Sequence, residues 1–110
     1  MKPKREVSHL LDYEKRNGTV YVRLSGELDH WRAEAIRPEL DGLIADPGVR
    51  RLVFDFAGLE FMDSSGIGML IGRYKLMRSR GGSVAVMPGG RRVERLMELS
   101  GLYEIIEKLA

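Results

Sequence analysis

A chain of 110 residues without cysteine is sized for one hydrophobic core and one site, and it has no thiol for disulfides, thiolate metal sites or covalent catalysis. Its 18 Lys and Arg against 16 Asp and Glu leave a formal net charge of +2 with the two signs interleaved, and the basic pairs Arg50-Arg51 and Arg91-Arg92 lack stacking aromatics, so no nucleic-acid surface is expected. Nowhere do eighteen apolar residues follow one another, and no apolar run stands behind Met1-Lys2-Pro3-Lys4-Arg5-Glu6, so a soluble, cytoplasmic protein without membrane association is the expectation.

Residues 1–110 read as one domain with a flexible N-terminal segment over 1–6. Asn17-Gly18 is a strong hairpin signal because both residues tolerate positive φ; it joins an edge strand predicted over Val7 to Glu14 to a second strand. In that second strand Val20, Val22 and Leu24 alternate with Tyr21, Arg23 and Ser25, the period of a strand with one buried face. Asp29 then stands ahead of a helix with Ala33, Ile36, Leu40, Leu43 and Ile44 on one face, ended by Asp46-Pro47-Gly48. Pro38 removes one hydrogen bond inside it and crowds the carbonyl four residues back, which predicts a kink or a restart.

Arg51 to Ala57 is apolar on both faces apart from Asp55, as a central strand should be, and its exit leads into Phe61-Met62-Asp63-Ser64-Ser65-Gly66-Ile67-Gly68. Ile67, Leu70, Ile71, Tyr74 and Met77 follow at helical spacing, and Arg78-Ser79-Arg80-Gly81-Gly82 closes that helix. Ser83 to Met87 is a short strand stopped by Pro88-Gly89-Gly90; Val93, Leu96, Met97 and Leu99 mark a further helix ended by Ser100-Gly101, before an apolar segment around Tyr103 to Ile106. Alternating strands and helices imply crossover connections. The predicted fold is α/β: a mixed, mostly parallel sheet of four to five strands with an N-terminal β-hairpin and three to four helices. In such sheets functional loops gather at the carboxyl ends of strands, which groups the Glu27-Leu28-Asp29 turn with the Asp63-Ser64 turn.

Ser64 and Ser65 open a helix, where unpaired N–H groups and the positive end of the dipole favour an anion. A hydrolase elbow would need glycine two residues before the nucleophile, and Met62 and Asp63 hold those places for Ser64 and Ser65. The only histidines are His9, in the expected edge strand, and His30, beside Asp29; neither makes a triad legible. No P-loop string occurs, and Gly66-Ile67-Gly68 is too short for a dinucleotide fingerprint. A magnesium site at Asp29 and Asp63 would need two or more oxygen ligands fixed together and is not predicted; no cofactor and no catalytic residue are predicted either.

Asp63 and Asp29 are natural helix caps, and capping alone is one reading of the motif. The helix composition argues for more. Opposite its apolar face stand Ser65, Gly68, Met69, Gly72 and Leu76, where a solvent-facing helix would carry Lys and Glu. Each interior glycine costs roughly 0.5–1 kcal/mol relative to alanine. A bare stripe beside a hydroxyl suits a close-docking partner; packing against a neighbouring helix is the competing explanation. Trp31 and Tyr74 read as core or rim residues, and Asp55 as either a buried, backbone-bonded carboxylate or an exposed one at the strand end.

Four blocks carry a family resemblance: Ser25-Gly26-Glu27-Leu28-Asp29-His30, Phe61-Met62-Asp63-Ser64-Ser65-Gly66-Ile67-Gly68, Gly72-Arg73-Tyr74-Lys75 and Ser100-Gly101-Leu102. In this order and spacing, from about Val20 to Ile106, the chain resembles the anti-sigma-factor antagonists of the STAS fold, particularly the sporulation branch. The resemblance implies a regulator without catalysis of its own, and a monomer is the expectation for the free chain. Its unphosphorylated form would bind an anti-sigma factor that is also a nucleotide-bound serine kinase and so free the sigma factor. Phosphorylation on the first serine, Ser64, would end binding, and a serine phosphatase would reset it. The partner surface expected around Ser64 comprises Glu27, Asp29, His30, Asp63, Ser65, Gly66, Gly68, Met69, Gly72 and Leu76. The alternatives are a stress-response antagonist with similar logic, or a small-anion or nucleotide-binding module.

Overall fold

The computed structural model describes residues 5–7 and 11–109. Strands β2 (Asp12–Arg16) and β3 (Thr19–Arg23) form the predicted hairpin, with Arg16 opposite Thr19. Asn17 and Gly18 turn it at φ 50° and 78°, the positive values that a two-residue turn matched to strand twist requires. The expected edge strand from Val7 to Glu14 is in fact two pieces: β1 (Arg5–Val7) pairs antiparallel with β2, Val7 facing Asp12. Arg5 and Glu6, expected in a flexible segment, belong to β1; Met1 to Lys4, Ser8, His9 and Leu10 lie outside the described residues.

The main sheet continues with β5 (Arg51–Asp55), β7 (Ser83–Met87) and β8 (Glu107–Lys108) in the order β1-β2-β3-β5-β7-β8, the last three pairings parallel. Six strands stand where four to five were expected, because β1 and β8 extend the two edges. Between them run α1 (His30–Ile44), α2 (Ser64–Ser79), α3 (Arg91–Leu99) and a 3-10 turn at Leu102–Glu104. α1 is unbroken from His30 to Ile44, so it does not restart at Pro38. Pro38 lies on the exposed side, where water can serve the carbonyl it leaves unpaired.

One face of the sheet carries Val20, Val22, Leu52, Phe54, Val84 and Val86, all within a single buried cluster with Ile36, Leu40 and Ile44 of α1, Leu70 and Met77 of α2, and Val93 and Met97 of α3. Among the described residues no helix is long and apolar enough to cross a membrane.

The main departure from expectation lies between β5 and α2. β5 stops at Asp55, whose carboxylate accepts from the Ala57 N–H at 2.9 Å, and Leu59 N–H bonds back to the Phe56 carbonyl at 2.9 Å. A new strand, β6 (Leu59–Met62), then pairs parallel with β4 (Gly26–Leu28) in a separate two-stranded sheet. β6, and not β5, delivers the serine motif. Because Leu28 lies opposite Met62 and Asp63 N–H reaches the Leu28 carbonyl at 3.4 Å, this small sheet brings the two turns together.

Candidate functional site

Asp63, in extended conformation at φ −108°, caps α2: its Oδ1 accepts from Ser65 N–H at 2.9 Å and its carbonyl from Gly66 N–H at 3.0 Å. Asp29 does the same for α1, accepting from Arg32 N–H at 3.0 Å. Both carboxylates satisfy amides that a helix start leaves orphaned. The Arg32 guanidinium turns back and donates through Nη1 to the carbonyls of Ser25 and of Glu27, the latter at 2.8 Å. It ties the start of α1 to β4.

Ser64 is exposed, and no side-chain hydrogen bond among the described residues engages its hydroxyl. Ser65 is half-buried, its Oγ 3.3 Å from Nδ1 of the exposed His30. Two adjacent alcohols thus differ: one is held by an imidazole, the other is open to solvent. Glu27 is exposed beside them, and Asp63 and Asp29 are half-buried.

The other predicted residues divide. Gly66 is buried, and a Cβ there would meet Met62 Cγ at 2.4 Å and Sδ at 2.7 Å; its smallness serves the packing of α2 on β6. Met69 is 5% exposed and belongs to the core, while Leu76 packs against the core and does not line the site. Gly68 and Gly72 remain at the surface between α1 and α2. With Ser65, Met69 and Arg73 of α2 they line a groove of about 280 Å³ whose far wall is His30, Ala33, Glu34 and Arg37 of α1. A Cβ on either glycine would meet nothing within 4 Å. The bare stripe therefore flanks α1 without needing glycine for helix contact, and its glycines keep space open. At the bottom of the groove Arg73, with only 11% of its side chain exposed, lies 3.0 Å from Asp41 Oδ1 and joins the two helices.

Trp31, expected in the core or at its rim, is 81% exposed on the first turn of α1, its ring edge-on to His30 with centroids 6.0 Å apart. Phe61, 37% exposed, faces Glu27 across β4–β6. Sequence reading missed both aromatics and the Arg32 clamp. The signal for Trp31 was present, since it falls opposite the buried positions Ala33, Ile36 and Leu40 of α1. Tyr74 is half-buried, its hydroxyl held by Arg78 Nη1 at 2.6 Å. Asp55 proves to be a turn-former paired with Arg23 at 3.6 Å. Among the described residues no three His, Cys, Asp or Glu side chains cluster as metal ligands. The site's chemistry is that of a free hydroxyl at a helix start, with a groove of mixed polar and apolar lining and two exposed aromatics on the flanking elements.

The STAS domain family model matches residues 11–110. The anti-sigma F factor antagonist of Paenibacillus polymyxa is 41% identical over 96 residues, spanning 87% of this chain and 82% of that protein. Among solved structures, the anti-sigma factor antagonist SpoIIAA in its unphosphorylated form superposes with a TM-score of 0.80 at 31% identity, over 91% of this chain and 88% of that one. The Bacillus cell fate determinant SpoIIAA in its phosphorylated form gives 0.73 at 30% identity, over 91% of each. The chain belongs to the STAS domain family and is a homologue of its anti-sigma factor antagonists.

Proposed function

We propose that this chain is an anti-sigma factor antagonist switched by phosphorylation of Ser64. Unphosphorylated, it binds an anti-sigma factor that is also a serine kinase, and this frees the sigma factor. Transfer of a phosphoryl group from the kinase's ATP to Ser64 Oγ ends the association, and a serine phosphatase restores it. The observation that carries the reading is the Ser64 hydroxyl, exposed and uncommitted at the start of α2 while Ser65 is engaged by His30. The chain acts as substrate and ligand: the imidazole that a hydrolytic serine would need as its base faces the other serine.

Phosphorylation adds about −1.5 to −2 charges at pH 7, one residue from Asp63. In the free protein the start of α2 and bulk water stabilise that charge. A partner seated over Ser64 must strip its water or leave, because an unpaired buried charge costs several kcal/mol or more. Likeness to both forms of SpoIIAA supports a switch that changes a surface and leaves the fold alone. Differential affinity for the two forms is all the mechanism requires.

Incubation with the cognate kinase and ATP, followed by intact-mass measurement and peptide mapping, tests this. One phosphoryl group on Ser64 is the expected result; label elsewhere, or none, overturns it. Ser64→Ala should remain a permanent binder and Ser64→Asp a weakened one.

A further inference from the structure

Trp31 is the chain's only tryptophan, and 81% of it faces solvent. A tryptophan can bury about 150–250 Å², so leaving this one outside forgoes more apolar burial than any other side chain here could supply. Its position gives it a use. The indole meets His30 edge-on at 6.0 Å, and His30 Nδ1 lies 3.3 Å from Ser65 Oγ, so the ring is joined by two contacts to the serine turn. Phe61, also exposed, precedes the turn on β6. Trp31 lines neither the groove between α1 and α2 nor the cavity beside Tyr13 and Tyr21, so the ring serves neither of those hollows. Glu27 is exposed and Glu34 is matched by Arg37 at 3.1 Å, so this rim has no surplus of positive charge to draw an anionic lipid surface. A second copy stacked on the ring would cover the turn that has to stay open to an enzyme. What fits is a protein that covers Trp31 and Ser64 together.

We propose that Trp31 is the anchor by which the unphosphorylated chain holds its anti-sigma factor, the indole entering an apolar pocket of that protein, with Phe61 as a lesser contact across the serine turn. The inference rests on the function proposed above and adds to it where the binding strength resides. Desolvated aromatic anchors near the centre of an interface carry most of its energy, while surrounding contacts mainly exclude water. Affinity therefore concentrates on the same rim as the group that phosphorylation changes, linked to the neighbouring Ser65 through His30, where a small separation of the surfaces withdraws the ring.

The single indole supplies the test. The unmodified chain is titrated with its anti-sigma factor in the presence of ADP, and tryptophan emission and acrylamide quenching are followed, with Trp31→Phe as the background for the partner's own fluorescence. The expected result is a blue shift and lost quenching at saturation, with Trp31→Ala binding about 30-fold more weakly or worse at an unchanged melting temperature. Emission that stays red and fully quenched at saturation, or Trp31→Ala within threefold of the parent, overturns the anchor. A blue shift that grows with the chain's own concentration before partner is added assigns the ring to self-association and overturns it too. If those results arise while Ser64→Asp still weakens binding, the anchor alone falls; if the anti-sigma factor binds no variant, the functional reading falls with it.

Discussion

Three glycines of α2 separate into two physical classes, and alanine substitution should move their stabilities in opposite directions. A methyl on Gly68 or Gly72 would find no neighbouring atom within 4 Å, whereas a methyl on Gly66 would sit 2.4 Å from Met62 Cγ and 3.2 Å from Leu28 Cδ2. At the two open sites alanine gains about 0.5–1 kcal/mol of helix stability. Unfolding entropy is about 2 cal/mol/K per residue, so for 110 residues the rise in Tm is about 2–4 °C each. At Gly66 the same gain is set against overpacking of about 1–3 kcal/mol, because Met62 is nearly buried and can yield only by disturbing the strand that carries Asp63. The expected net loss centres on about 1 kcal/mol, or about 4–5 °C, and reaches about 2.5 kcal/mol if Met62 cannot move. Calorimetric melts of the three single variants decide it. A Gly68→Ala or Gly72→Ala chain that melts below the parent would mean that α1 closes on α2, and the groove would not be free space. If the groove is part of the partner surface, the two stabilised variants should also bind the anti-sigma factor more weakly.

Asp63→Ala removes the cap on Ser65 N–H and should cost about 1 kcal/mol, read by denaturant titration; no loss would mean that the cap is dispensable. His30→Ala releases the Ser65 hydroxyl, and peptide mapping after kinase treatment should then find label on Ser65 as well as Ser64; label confined to Ser64 would remove His30 from acceptor choice. Burial, and then its hydrogen bonds to Glu94 at 2.7 and 2.9 Å, raise the Tyr103 phenol above its ordinary value near 10. Spectrophotometric titration should show one tyrosine ionising last. Because the unfolded phenol ionises first, its contribution to stability is complete below about pH 10 and is lost as pH rises towards the folded value. Tyr103→Phe should flatten that alkaline loss, and an unchanged alkaline melting profile would refute the assignment.

Local rules carried much of the fold. The Asn17-Gly18 turn, the caps at Asp29 and Asp63 and the buried stripe of α1 each depend on a few neighbouring residues, and all appear where such rules place them. Among the strands that escaped notice, β4 with three residues, β6 with four and β8 with two are too short for a readable periodicity and depend on a partner strand lying alongside. Met69 was placed on an outward stripe by a one-sided wheel, but α2 packs on more than one neighbour, and its buried surface is wider than one stripe. The opposite error befell Trp31, where bulk and apolarity outweighed a wheel position that pointed outward. Which of two adjacent serines is free could not be read at all, because His30 reaches Ser65 from 35 positions away.

The guanidinium of Arg32 has a mechanical meaning. By gripping one carbonyl within the strand that pairs with β6 and one just before it, it ties the mouth of one helix to the threshold of the other, so this rim is braced as a single plate. A load placed anywhere on that plate is felt across it without slack. A chemical mark on one hydroxyl then has no loop to relax into, and its whole effect is delivered outward, on whatever leans against the rim.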